Sequence, residues 1–124
     1  MLVRYRLPPP PDPSLEPFDG GIGVLSRGGV RAGHVATVRG QYHGLFGRQW
    51  KWWIWYLVVW EDGTRERPQE DYEPFLAVQE LRAGYLDVDF SSAASRSGRY
   101  DVVWLTPDEA AATRERLGIR DSDF

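Results

Sequence analysis

From Trp50 to Trp60 the chain reads Trp-Lys-Trp-Trp-Ile-Trp-Tyr-Leu-Val-Val-Trp, apolar or aromatic at every position except Lys51. A run so rich in aromatic and β-branched residues predicts a strand, and its lack of alternation argues against one solvated face. Either both faces are covered or one offers an aromatic surface to a partner. Glu61-Asp62-Gly63 predicts a hairpin turn, and Thr64 to Arg67 a returning strand that Pro68 stops. Two registers stay open at this turn. A two-residue turn sets Arg65 and Arg67 opposite Trp60 and Val58, with Arg65 placed to stack on Trp60. A three-residue turn with a bulge at Gly63 sets them opposite Val59 and Leu57 and exchanges the faces.

Upstream, His34 to Arg39 predicts a strand bounded by Gly33 and Gly40, and Gln41 to Gln49 a glycine-punctuated loop carrying Tyr42, His43, Phe46 and Arg48. Leu2 to Leu7, apolar at 3, 5 and 7 with Arg4 and Arg6 between, predicts an edge strand ended by Pro8 to Pro11. Residues 8–33, first rich in proline and then in glycine, predict a long loop with at most one short strand at Ile22 to Leu25. Downstream, Phe75, Val78 and Leu81 recur at helical spacing between Pro74 and Gly84, although Phe75 to Leu81 also suits a strand closing a barrel. Tyr85 to Phe90 and Tyr100 to Leu105 predict a second hairpin around the small-residue loop Ser91 to Arg99. Thr106-Pro107-Asp108-Glu109 is a capping box that opens a helix over 107–117, and Gly118 is its left-handed cap. Ile119 anchors the helix end, and Arg120 to Phe124 is expected to fray.

Tyr56-Leu57-Val58-Val59-Trp60-Glu61-Asp62-Gly63, followed by Pro68, Asp71 and Pro74, resembles the central hairpin of SH3-like barrels of the Tudor, chromo-barrel and KOW type, and of small bacterial barrels of that shape. Gly33 to Gly40 matches the preceding strand, so the resemblance spans roughly residues 33–82. Where such barrels often carry a solvent-facing basic residue this chain has Val59, which implies a second layer over that face, supplied by the added hairpin and terminal helix. The resemblance implies a binding module rather than a catalyst and transfers no ligand. The expected fold is mainly β (a β-rich α+β class): a partly open, SH3-like antiparallel barrel with an added hairpin and a C-terminal helix. Residues 1–32 form its N-terminal strand and Pro/Gly-rich loop, and residues 33–124 a single domain.

Length and composition bound the function. The 124 residues suffice for one core. The absence of Cys excludes disulfides, a thiol nucleophile and cysteine-ligated metals. His34 and His43 match no metal-ligand spacing. Asp87-Val88-Asp89 places two carboxylates on one strand face, and Ser91 and Ser92 lack a nucleophile-elbow motif. Gly20-Gly21-Ile22-Gly23 and Gly28-Gly29 lack the setting of a phosphate loop. The expectation is therefore no enzyme, no metal and no cofactor. Met1 to Leu7 has no apolar stretch of signal-peptide length, and the run Trp52 to Trp60 is under half the ~20 residues of a membrane helix, so a cytoplasmic, non-membrane protein is expected.

Charge sharpens the picture. The net charge is −3, but residues 20–60 carry Arg27, Arg31, Arg39, Arg48 and Lys51 with no acid, whereas residues 61–124 carry eight Arg against fifteen Asp and Glu. The predicted binding surface is the Tyr42–Trp55 region, with Tyr42, Phe46, Trp53 and Trp55 as anchors and Arg48 and Lys51 as its rim. Trp53 and Trp55 are chosen because they share the face of Lys51. A protein partner is expected, as for an antitoxin-like or immunity-like inhibitor. Nucleic-acid binding by the acid-free segment is the alternative, and self-association through the aromatic strand a further one.

Overall fold

The computed structural model describes residues 13–43, 50–68 and 74–124, of which 41–43, 50–51 and 74–76 by backbone alone. The strand expected at 2–7 lies outside them. Six antiparallel strands, β1 (Ile22–Arg27), β2 (Val30–His43), β3 (Trp50–Trp60), β4 (Arg65–Glu66), β5 (Tyr85–Val88) and β6 (Gly98–Trp104), form one sheet in the order β4-β3-β2-β1-β6-β5. The sheet curls into a half-barrel. Helix α1 (Pro74–Ala83) packs against β3 and β5, and α2 (Pro107–Leu117) lies on the other face. The expected partly open antiparallel barrel with a second hairpin and a C-terminal helix is the fold observed.

Two cores follow from the alternation of the strands. Inside the curl, Leu25, Val35, Ile54, Val58, Leu86, Val88, Tyr100 and Val102 pack with Ala77, Val78 and Leu81 of α1, and with Leu15 and Phe18 of a 3₁₀ turn at Pro13–Phe18. On the outer face, Ile22, Ala36, Leu57 and Val59 pack against Ala110 and Ile119. The two-sided apolar character of β3 thus resolves over its second half into an inner stripe and an outer stripe under α2. The helix is placed as its caps require: Thr106 Oγ1 accepts from Glu109 N–H, the Glu109 carboxylate accepts from Thr106 N–H, and Gly118 adopts φ +65°.

Three expectations are corrected. The stretch read over 8–33 as a loop with at most one short strand at Ile22 to Leu25 does hold that strand, extended to Arg27 as β1, but its described part also forms the 3₁₀ turn and the start of β2. Gly28 and Gly29, at φ +60° and +76°, make the hairpin turn between β1 and β2. Gly33 and Gly40 do not bound a strand but sit inside β2, because each lets a neighbour approach closely. A Cβ on Gly33 would collide with the backbone of Val59 and Trp60, and one on Gly40 would meet the Trp55 ring at 2.5 Å. The C-terminal segment is tied down rather than frayed: Asp121–Asp123 forms a 3₁₀ turn, Arg114 pairs with Asp121 at 2.6 Å, and Arg65 pairs with Asp123 at 3.1 Å.

A bulge fixes one further feature. Leu25 pairs with Gly33 but Ser26 pairs with Arg31, leaving Ala32 as the extra residue. The slip turns Arg31 onto the face of His34, which a regular strand would deny to residues three apart.

Candidate functional site

The ribbon formed by β2 and β3 positions the predicted surface. Their register pairs Ala36 with Leu57, Val38 with Trp55, Gly40 with Trp53 and Tyr42 with Lys51, so these residues follow one another along one face. α2 covers the first pair. Beyond it Val38, Trp53 and Trp55 are half-buried. The Trp55 indole leans across the ribbon onto Gly40, where the missing side chain makes room for it. The register thus brings Tyr42, Lys51, Trp53 and Trp55 together on one ribbon, whereas Phe46 and Arg48 lie outside the described residues. On the opposite face Trp52 packs toward the inner core, with the Arg39 guanidinium 5.4 Å from its ring centre.

The described arginines of the acid-free segment are engaged by partners within the fold. Arg27 donates to the carbonyls of Ser95 (2.8 Å) and Ser97 (3.1 Å) and lies 4.7 Å over the Tyr100 ring. Arg31 pairs with Glu61 at 2.7 Å and donates to His34 Nε2 at 2.7 Å. Because arginine only donates, His34 accepts through Nε2 and carries its proton on Nδ1. Burial, then the Arg31 charge, holds the His34 pKa below its ordinary value, against an opposing pull from Glu61. Arg39 is tied to Asp19 through a backbone N–H bond of 3.1 Å and a longer ion pair of 3.8 Å.

At the other end of β3 lies a second arrangement, centred on residues whose shared role no local pattern signals. The turn takes the three-residue form: Trp60 N–H donates to Thr64 O, Gly63 adopts φ +86°, and Arg65 pairs with Val59. Arg65 therefore points to the outer face and donates to Leu117 O at the end of α2. It is Arg96, not Arg65, that lies over Trp60, 5.0 Å from the ring centre. The same register points Glu66 inward, where its carboxylate accepts from Trp60 Nε1 (2.7 Å), Ser91 Oγ (2.8 Å), Ser92 N (3.0 Å) and Ser92 Oγ (2.9 Å). Burial raises the Glu66 pKa, but the bonds from Ser92, Trp60 and Ser91 outweigh it and leave the group below its ordinary value. Trp60 and Tyr100, 5.5 Å apart, floor an open groove of about 420 Å³ rimmed by Arg27, Val30, Glu61, Asp62 and Arg96.

Elsewhere, Asp87 pairs with Arg99 at 3.5 Å, and burial raises the pKa of Glu80, which accepts from Asp87 N–H. Among the described residues no three His, Cys, Asp or Glu side chains converge as a metal site would need. No described helix is long and apolar enough to cross a membrane. No protein-family model, curated protein or solved structure gives a significant match to the chain.

Proposed function

We propose that this chain is a non-catalytic recognition module, an SH3-like barrel that binds a protein partner through the outer face of the β2–β3 ribbon. One observation carries the reading: Trp55 stays half-buried on the ribbon, the edge of its indole seated against Gly40, just past the point where α2 stops covering that face. A large, stiff ring gives contact area at little cost in side-chain entropy, which is what an interface anchor needs. Trp53 and Val38 extend the patch, and Lys51 and Tyr42 continue its register toward the ribbon end. A protein partner is favoured over nucleic acid because Arg27, Arg31 and Arg39 are engaged within the fold and leave fewer cations for phosphates.

The test is affinity capture from the native host with the wild-type chain, Trp55→Ala and Val103→Ala, a control on an exposed valine of β6. A protein retained by wild type and Val103→Ala, and lost with Trp55→Ala at unchanged melting temperature, supports the reading. Full retention by a folded Trp55→Ala chain overturns it. If Trp55→Ala unfolds, Val38→Lys puts the same question to the same face.

A further inference from the structure

Among the described residues β4 and β5, the two ends of the sheet, are not paired, and residues 91–97, which lead from β5 to β6, bond to Glu66 of β4 across that open side. We propose that this segment is a releasable strap, which opens as one unit while the sheet stays folded and so widens the Trp60–Tyr100 groove, whose wall includes its Ser95 and Arg96. Its fastenings are polar. Ser91 and Ser92 bond to Glu66 of β4. Arg96 pairs with Asp62 and donates to Thr64 Oγ1 at 2.7 Å. Arg27 holds the carbonyls of Ser95 and Ser97, and the Tyr100 hydroxyl donates to Arg96 O at 2.8 Å.

None of residues 91–97 is fully buried. Releasing the strap therefore exchanges hydrogen bonds for water and exposes little apolar surface beyond the covered faces of Trp60 and Tyr100, less than opening any strand of the sheet would. What it uncovers is different in kind. Arg96 leaves the Trp60 face, Glu66 loses its serine donors, and the groove opens onto two rings that are almost wholly buried when the strap is closed. The fastenings are also coupled: Glu66 grips one end of a seven-residue segment while Asp62 and Arg27 grip the other, so loosening either end frees the middle.

Amide and indole hydrogen exchange by NMR on the intact chain tests this. In the wild type, Ser92, Arg96 and Ser97 N–H and the Trp60 indole N–H are expected to exchange as a group, faster than the amides of Val35 and Val58 in the core strands. Glu66→Gln and, separately, Arg96→Gln are each expected to speed the whole group about tenfold or more, Ser92 included when only Arg96 is changed, with the core amides unmoved. Strap amides as slow as the core in the wild type overturn the proposal. So does a variant that speeds core and strap alike, or one that speeds only its own hydrogen-bond partners.

Discussion

The Trp60 indole N–H donates to Glu66 Oε2 at 2.7 Å, and this bond joins the last residue of the longest aromatic strand to the residue that holds the open side of the barrel. A buried indole N–H needs an acceptor, and Glu66 reaches it because the three-residue turn places β4 with Glu66 opposite Val58. Glu66→Ala removes four acceptor bonds at once and is expected to lower stability by about 2 kcal/mol, whereas Ser91→Ala, which removes the bond to Glu66 and the one its hydroxyl accepts from Ala93 N–H, costs about 1 kcal/mol or less. Urea denaturation midpoints at neutral pH check both. Equal losses for the two variants would deny Glu66 its central place.

The same carboxylates predict an acid limit. Glu66 lies below its ordinary pKa, and Asp62, which accepts from the Thr64 hydroxyl at 2.6 Å and the Thr64 N–H at 3.0 Å and pairs with Arg96, is lowered to about 2. A lowered folded-state pKa means that the unfolded chain takes up protons first. The stabilisation is therefore complete above the ordinary carboxylate values and declines as pH falls through them toward the folded ones. Melting temperature is expected to decline gently below about pH 7, where the unfolded chain protonates its histidine before the buried His34 does, and to fall more steeply below about pH 5 as the carboxylates follow. Asp62→Asn should flatten the part of the fall between 3.8 and about 2, and an unchanged profile would remove Asp62 from the account.

Two glycines of β2 should respond differently to the same methyl group. Gly33→Ala drives its Cβ into the backbone of Val59 and Trp60, which can yield only by separating the strands, whereas Gly40→Ala meets a ring that can swing away. The expected losses are about 3 kcal/mol or more for Gly33→Ala and about 1 kcal/mol for Gly40→Ala. Gly40→Ala should also shift the Trp55 indole resonance while Trp60 stays in place. A Gly40→Ala chain with an unmoved Trp55 signal would contradict this contact.

These elements differ in how far the sequence revealed them. β3, the second hairpin and α2 were legible because their signals are local: an aromatic run, two alternating stretches, a capping box with Gly118 at the end. The turn at Asp62-Gly63 was visible but its register was not, since both turn types accept those residues. Only the packing of Val59 under α2 and of Glu66 against Trp60 chooses between them. The pairing of β1 with β6 joins residues nearly eighty positions apart, and no short-range pattern encodes it. Glu66 looked like one more charge on a solvated return strand because its partners Ser91 and Ser92 come from a loop beyond α1. Tyr42, Lys51, Trp53 and Trp55 were legible as neighbours by strand period alone, whereas the seat of Trp55 on Gly40 needed the register.

The arrangement of arginines leads to a last expectation, about polyanions. A chain that used its acid-free segment to bind nucleic acid would lose affinity steeply with salt, and its salt slope would fall by about one for each phosphate-contacting arginine removed. Arg27, Arg31 and Arg39 instead serve Ser95, Ser97, Glu61, His34 and Asp19 within the fold. Replacing each in turn with Gln is expected to lower the melting temperature by a few degrees and to leave any oligonucleotide affinity and its salt slope unchanged. The measurement is a fluorescence-anisotropy titration of a labelled single strand at several salt concentrations, run beside thermal melts of the same variants. A slope that drops by about one in any of the three, with the melt unmoved, would place that arginine on phosphate and return nucleic acid to the front as the ligand.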